Sequence, residues 1–483
     1  MKKRILAGIL CTVLLFSACG TDPSDIKIGG KGDLSSVPGA GDEEKDTAQN
    51  ELSEVPLDIE GWRNASSGLK LVSPERKTHE AKPDVRDARM AEAETVLKNS
   101  SLPRVNIYME NDYLLYKSEY TRAMIGISNA GEYDLEPQEG SVRIRGNSTS
   151  LEKKLPLKIH FDKKQGVFGH PGEKSWTLIA NYYDKTALHN KIAYDIYEYL
   201  SPEGTFVPMC EFVDLYVNDM FCGVYTLCDQ VETGDGRVDI RSKTDAAPDE
   251  TDYLIEQDYR AYFDGGGTEG LDWFYSTWTE DCFTVESPED KYLNEEKTAY
   301  IQDYIDQVYE AGLLGRWDVI QSLIDVDSFI AGFMAADMIK SVDVRQSSVY
   351  FYKLGGGKLY FGPLWDCDLT FGSGEEGGVE ASMAEGNFLF AALIRTPEFR
   401  HMYIDRYNAV RDDVQEFVLG KIDEYAEKYN AELSNEFQNW TLDMNFCCEE
   451  MQQIADYNGQ IEFMKTWFVD RLEWLDMRYG VIY

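Results

Sequence analysis

Beyond about Leu102 the chain alternates apolar and polar residues, and only later does a helical period take over. Arg104-Val105-Asn106-Ile107-Tyr108 and Ser141-Val142-Arg143-Ile144-Arg145 carry the two-residue repeat of half-buried strands. Leu155, Leu157, Ile159 and Phe161 fall on one face of a third strand, which leaves Lys154, Lys158 and His160 on the other. Phe212 to Val217 and Cys222 to Leu227 flank Asn218-Asp219, a hairpin signal. Among these strands Leu188, Ile192, Ile196 and Leu200 recur at helical spacing, predicting one helix over 185–200. Farther on, Ile301, Ile305, Val308 and Tyr309 mark an amphipathic helix, and Phe329 to Ile339 a helix apolar nearly all round. Helices are also expected at 397–418, 420–438 and 459–478, and a short one at 88–97. Two strands, Ser348 to Lys353 and Lys358 to Gly362, interrupt the helical half around Gly355-Gly356-Gly357. The class is therefore α+β.

The N-terminus follows a different pattern. Lys2, Lys3 and Arg4 precede an apolar run from Ile5 to Phe16, which is too short for a spanning helix of about 20 residues. With Phe16-Ser17-Ala18-Cys19 it reads as a lipoprotein signal segment over 1–18, to be removed, with lipid then placed on Cys19. Ordinary secretion is the alternative. Between Gly20 and Glu60 there are eleven acidic and three basic residues, with Gly, Ser and Pro between them. Such a segment buries too little apolar surface to offset its chain entropy, so 19–100 is expected to be an acidic, disordered tether. The protein is then expected on the extracytoplasmic face of the cell membrane.

Charge and cysteine usage narrow the partners. The formal charge of −39 argues against nucleic acid, whose phosphates require clustered Lys and Arg. Of nine cysteines, Cys11 leaves with the signal segment and Cys19 carries lipid. The other seven are scattered through apolar segments and read mainly as buried thiols. The histidines are dispersed and no CxxC pair occurs, so zinc is not indicated.

The chemistry concentrates after the small hairpin, in Pro363-Leu364-Trp365-Asp366-Cys367-Asp368-Leu369-Thr370-Phe371-Gly372. Two carboxylates two residues apart at a strand exit suit magnesium, a hard ion that takes one or two carboxylates plus phosphate oxygens. Asp343 lies upstream, between the apolar helix and the hairpin, where it could accept a proton from a hydroxyl or orient it. Taken singly, each fragment reads better as a solvated turn or helix end than as a site.

Read in order, Arg145-Gly146-Asn147-Ser148-Thr149, Lys153-Lys154-Leu155-Pro156-Leu157-Lys158, Trp176 to Asn190, Tyr216-Val217-Asn218 with Gly223-Val224-Tyr225, Asp343, Ser348-Val349-Tyr350 and Trp365-Asp366-Cys367-Asp368 resemble the signature of the CotH (spore coat protein H) kinase family. The resemblance runs from about 102 to at least 410. It implies a two-lobed, atypical protein-kinase-like fold: a strand-rich, nucleotide-binding lobe over 101–235 and a mainly helical lobe over 236–483. It also implies transfer of the ATP γ-phosphoryl group to Ser or Thr of surface or secreted proteins, with Mg2+ or Mn2+. Asp343 would be the catalytic aspartate and Asp366 the metal ligand, helped by Asp368. Lys154, Lys158 and the turn Arg145, Gly146, Asn147 and Ser148 would meet the phosphates. Cys228-Asp229-Gln230-Val231 would stand where a hinge meets adenine. Asp184, His189 and Asn190 read as caps and contacts of the embedded helix, and the Gly- and acid-rich stretch 373–387 as a flexible activation or substrate loop.

Two positions depart from the pattern. Ser348 stands where kinases carry an asparagine as second metal ligand, and Asp229 where relatives often have glutamate. Two other functions compete with phosphotransfer. One is a catalytically silent adhesion or scaffold module; the other is glycoside hydrolysis by a carboxylate pair, which leaves the paired lysines unexplained.

Overall fold

The computed structural model describes residues 87–480, apart from 111–113, 262–270, 280, 375–376 and 441–446. The expected signal segment, Cys19 and most of the expected tether lie outside the described residues. No helix among the described residues is long and apolar enough to cross a membrane.

The alternating segments form β1 (Asp87–Arg89), β2 (Arg104–Met109), β3 (Leu114–Tyr116), β4 (Thr121–Ser128), β5 (Leu135–Ile144), β6 (Leu157–Gln165) and β7 (Glu173–Ile179). Helix α1 (His189–Leu200) follows, then the hairpin β8 (Cys210–Val217) and β9 (Met220–Asp229). Asn218 and Asp219 both adopt positive φ (46° and 65°), the backbone that a two-residue hairpin turn requires. The strands close into a seven-stranded barrel in the order β2-β4-β5-β6-β7-β9-β8. Closure comes from a parallel pairing of β2 with β8, Arg104 opposite Asp214. Inward residues such as Ile107, Ile125, Val142, Ile159, Trp176, Val213 and Leu227 fill the barrel. Outward residues of β7 to β9, among them Phe212, Val224 and Cys228, pack with α1 into a second core that runs on through the helices.

The rest of the chain also contains strands. β10 (Tyr253–Gln257), β11 (Trp273–Tyr275) and β12 (Cys282–Ser287) precede α2 (Glu295–Leu313), α3 (Trp317–Leu323) and α4 (Val326–Met338). They join the expected hairpin, β13 (Val349–Lys353) and β14 (Leu359–Phe361), in an antiparallel sheet of order β11-β12-β10-β13-β14. Helices α5 (Phe388–Ile394), α6 (Pro397–Lys428), α7 (Asn430–Asn439), α8 (Glu449–Gln453) and α9 (Tyr457–Tyr479) complete the fold.

The α+β class is as expected, but the strands are divided between the two halves. The simple order of a strand-rich lobe and then a helical one gives way to a closed barrel and a second, five-stranded sheet. Two helical expectations are also corrected. Residues 88–97 form no helix: they hold β1 and then an irregular stretch in which Met90 and Ala93 are buried and Thr95 N donates to Asn439 Oδ1 (2.7 Å). The expected break before 420 is absent, because α6 runs straight through Gly420 to Lys428. A glycine inside a long helix costs only about 1 kcal/mol, and packing outweighs it.

Candidate active site

Helix α4 ends at Met338, and the chain turns through Ser341 into a 3-10 turn, Asp343–Arg345. The segment after β14 comes back beside it. Val342 N donates to Leu369 O (3.4 Å) and Phe371 N to Ile339 O (3.1 Å). These two backbone bonds set Asp343 against the Asp366–Asp368 segment. The carboxylates are close enough to act on one another. Burial, and then the charge of Asp366, push the Asp343 carboxyl up to about 7. The same two causes, with Asp343 third, hold Asp368 far above the usual carboxylate range.

Asp366 sits at φ 58° and Ser348 at φ 55°, both in the left-handed region. Strained backbone of this kind persists where its surroundings over-determine it. Ser348 Oγ donates to Asp366 Oδ2 at 3.4 Å, so the residue that replaces the expected asparagine does face the expected metal ligand. Helix α1 fixes the segment from behind. Asn190 Oδ1 accepts from Cys367 N (2.9 Å), and His189 Nδ1 lies 2.9 Å from Asp368 O. Asp184 accepts from His189 N (2.7 Å) and from Thr186 N and Oγ1 (both 2.8 Å), which caps the helix. His189 Nε2 lies 3.4 Å from Asp184 Oδ1, and Asn190 Nδ2 makes no hydrogen bond among the described residues.

From the barrel side, Arg145 places its guanidinium over the Trp365 ring (5.8 Å to the centroid) and lowers the carboxyl pKa of Asp368. It forms no ion pair with a carboxylate among the described residues, but its charge reaches Asp368. Ser148 hydrogen-bonds Tyr183, whose hydroxyl donates to Glu152 Oε1 (2.9 Å), and Tyr183 feels the charge of Asp368. The 145–148 turn thus closes on the same place. Gly146 has φ +80°, and a Cβ there would lie 2.3 Å from Thr149 Oγ1. Asn147 leads into the 3-10 turn Ser148–Leu151. Gly146→Ala should cost about 1–2 kcal/mol and weaken nucleotide binding, as a lowered denaturant midpoint and nucleotide titration would show. An unchanged midpoint would mean that the turn does not need glycine.

The two lysines are not brought together. Lys158 points outward and pairs with Glu232 Oε1 (2.9 Å). Lys154 is 2 % exposed, and its ammonium meets Ala180 O (2.7 Å), Val224 O (2.5 Å) and Glu436 Oε1 of α7 (2.5 Å). All three of its N–H donors are taken, and it clamps α7 to the barrel. Asp229 is likewise absorbed in structure. It accepts from Met209 N (2.9 Å) and from Arg237 Nε (3.2 Å), and Arg237 is itself buried against Trp176. The stretch 373–387 is tied down where it is described. Gly377 O accepts from Trp467 Nε1 (2.8 Å), Gly378 O from Lys340 Nζ (2.5 Å), and Glu385 takes both Arg478 Nε (2.9 Å) and Nη2 (2.6 Å).

Sequence reasoning missed Asp258 and Arg260. They follow β10, whose pairing with β13 carries them to the site. Arg260 donates to Asp258 Oδ1 (2.9 Å) and Ser347 Oγ (2.7 Å), and its charge opposes the upward push on Asp343. The signal was present as Asp258-Tyr259-Arg260 at the end of a β-rich run, but no local pattern linked it to residue 343.

The donor set around Asp366 is all oxygen, as a hard dication needs. Among the described residues no three His, Cys, Asp or Glu side chains are set to hold a metal by themselves.

Comparison with curated proteins gives no match. A family model described as CotH kinase protein matches residues 142–475, from the end of β5 into α9, and the chain belongs to that family.

Proposed function

We propose that this protein transfers the γ-phosphoryl group of ATP to serine or threonine hydroxyls of surface or secreted proteins, with Mg2+ or Mn2+. One observation carries the reading: Asp343 and the Asp366–Asp368 pair act on one another across the same turn, and the Arg145 guanidinium over Trp365 reaches Asp368. Phosphoryl transfer asks mainly for positioning and charge stabilisation. Asp343 would orient the acceptor hydroxyl and take up its proton. Asp366, with Asp368 and the Ser348 hydroxyl, would hold the dication, which when bound neutralises charge on the phosphates. Arg145 and the Gly146–Ser148 turn would face the phosphates, and Lys158 would lie at the rim. Lys154 would act through α7, since contact with a phosphate requires it to give up one of three bonds. The same reading sets the protein on the outer face of the cell membrane, held by lipid on Cys19 once residues 1–18 are removed.

With too few protein ligands for a metal alone, magnesium should bind at least about tenfold more tightly in the presence of a non-hydrolysable ATP analogue. Calorimetric titration of the purified protein checks this, and Asp366→Ala should abolish the gain. Equal affinity with and without nucleotide would rule the site out. Incorporation of label from γ-phosphate, on the protein itself or on an added protein, tests the reaction directly. The occupied ammonium of Lys154 favours a second reading, a silent surface module. That reading expects no label and partner capture indifferent to Asp343.

A further inference from the structure

Cys210 opens β8 and Cys228 lies next to the end of β9, and they are register partners across this antiparallel pair. Asp229 N donates to Met209 O one step beyond them (3.4 Å). Cys210 and Cys228 therefore form a non-hydrogen-bonded ladder pair, the closer kind, with Cα atoms about 4.5 Å apart. A disulfide spans Cα separations of about 4.4–6.8 Å. Both side chains point out of the barrel wall into the core with Leu188 and Tyr194 of the α1 region, so they share one face. Among the described cysteines no other two are register partners. Cys222 lies with the barrel interior, and Cys367 belongs to the segment between the two aspartates.

We propose that Cys210 and Cys228 are a disulfide site, closed as the chain folds by exchange with a small-molecule or protein disulfide. This rests on strand register alone and stands whether or not the phosphotransfer reading does. The thiolate of Cys210 attacks the external disulfide, forms a mixed disulfide and releases one thiolate. Cys228, losing its proton, then attacks the Cys210 sulfur and displaces the second thiolate. The chain gives up two protons and two electrons, and the oxidant leaves as two thiols. The opposite order, with Cys228 attacking first, balances equally, because neither thiol is covered before α1 packs on the strands. In the finished fold burial pushes the Cys210 thiol up to about 12, so exchange belongs to the stage before α1 covers the strands. The bridge would brace the strand pair behind the helix that carries His189 and Asn190.

The test refolds the full-length chain from denaturant in a reduced and oxidised glutathione buffer. Remaining thiols are alkylated under denaturing conditions, and the peptides are mapped without reduction. The expected result is one linked pair containing Cys210 and Cys228, two hydrogens lighter than the sum of its halves and split by dithiothreitol. Cys210→Ser should leave Cys228 alkylated, and the reverse. Alkylation of both residues in refolded wild-type protein would overturn the proposal. So would linkage of either one to Cys222 or Cys367.

Discussion

Asp343→Asn is expected to lower the turnover of phosphoryl transfer by about 10²–10⁴-fold with no loss of thermal stability. Activity falls because asparagine keeps the shape but cannot take a proton. Stability holds because the fold disfavours this charge: burial and the neighbouring Asp366 both push the carboxyl up to about 7. The sign of the pH dependence follows. An unfolded aspartate titrates near about 3.9. Between about 4 and 7 the folded, metal-free chain thus holds the extra proton, and its stability falls as pH rises through that window. Asp343→Asn should flatten that slope in denaturant titrations with chelator present. Magnesium at Asp366 adds positive charge beside Asp343 and should draw the titration to lower pH. Equal turnover in variant and wild type would remove Asp343 from the chemistry. A wild-type stability slope no steeper than the variant's would deny the raised carboxyl.

What the sequence disclosed about this site follows from how locally each part is encoded. Asp366 and Asp368 announce themselves, since two carboxylates at a strand exit are visible in a ten-residue window. The β8–β9 hairpin is equally local, with Asn218 and Asp219 suited to the positive φ they adopt. Barrel closure is not local. The β2–β8 pairing joins residues as far apart as Arg104 and Asp214, and periodicity states which face is buried without naming the neighbour. The strands β10 to β12 escaped for a related reason. β10 pairs with β12 and with β13, Leu254 lying opposite Ser287 and Tyr352, and neither partner adjoins it along the chain. Their loss hid Arg260, which reaches Ser347 across 87 residues. Lys154 shows the opposite error. Its type and motif pointed to phosphate, but a partner contributed by α7 decides its environment, and nothing near residue 154 encodes Glu436.

Arg471→Ala is expected to destabilise the protein by about 3–5 kcal/mol, the cost of removing one partner of a buried ion pair. Arg471 lies fully buried in α9, and every guanidinium nitrogen is used. Its Nε donates to Asp337 O (3.0 Å) and Nη2 to Asp337 O (2.8 Å) and Oδ1 (3.0 Å). Its Nη1 donates to Val379 O and to Ala381 O (2.7 Å). Asp337 ends the helix that leads to Asp343, and 379–381 follow the Asp366–Asp368 segment, so one side chain locks both approaches to the site. Alanine would take the donor from Val379 O and Ala381 O and the cation from the buried Asp337 carboxylate, which would keep neutral donors such as the Tyr479 hydroxyl (3.3 Å). Arg471→Lys should recover only part of the loss, because a point charge cannot serve partners in two directions as a planar fork does. Denaturant midpoints measure the stability, and hydrogen exchange over 377–387 reports the loop, which should open in Arg471→Ala ahead of global unfolding. Protection there equal to wild type would show that Trp467 and the Arg478–Glu385 pair hold the loop without Arg471. Because Arg471 holds 379–381 against the end of α4, transfer should fall in Arg471→Ala even at temperatures where the variant remains folded.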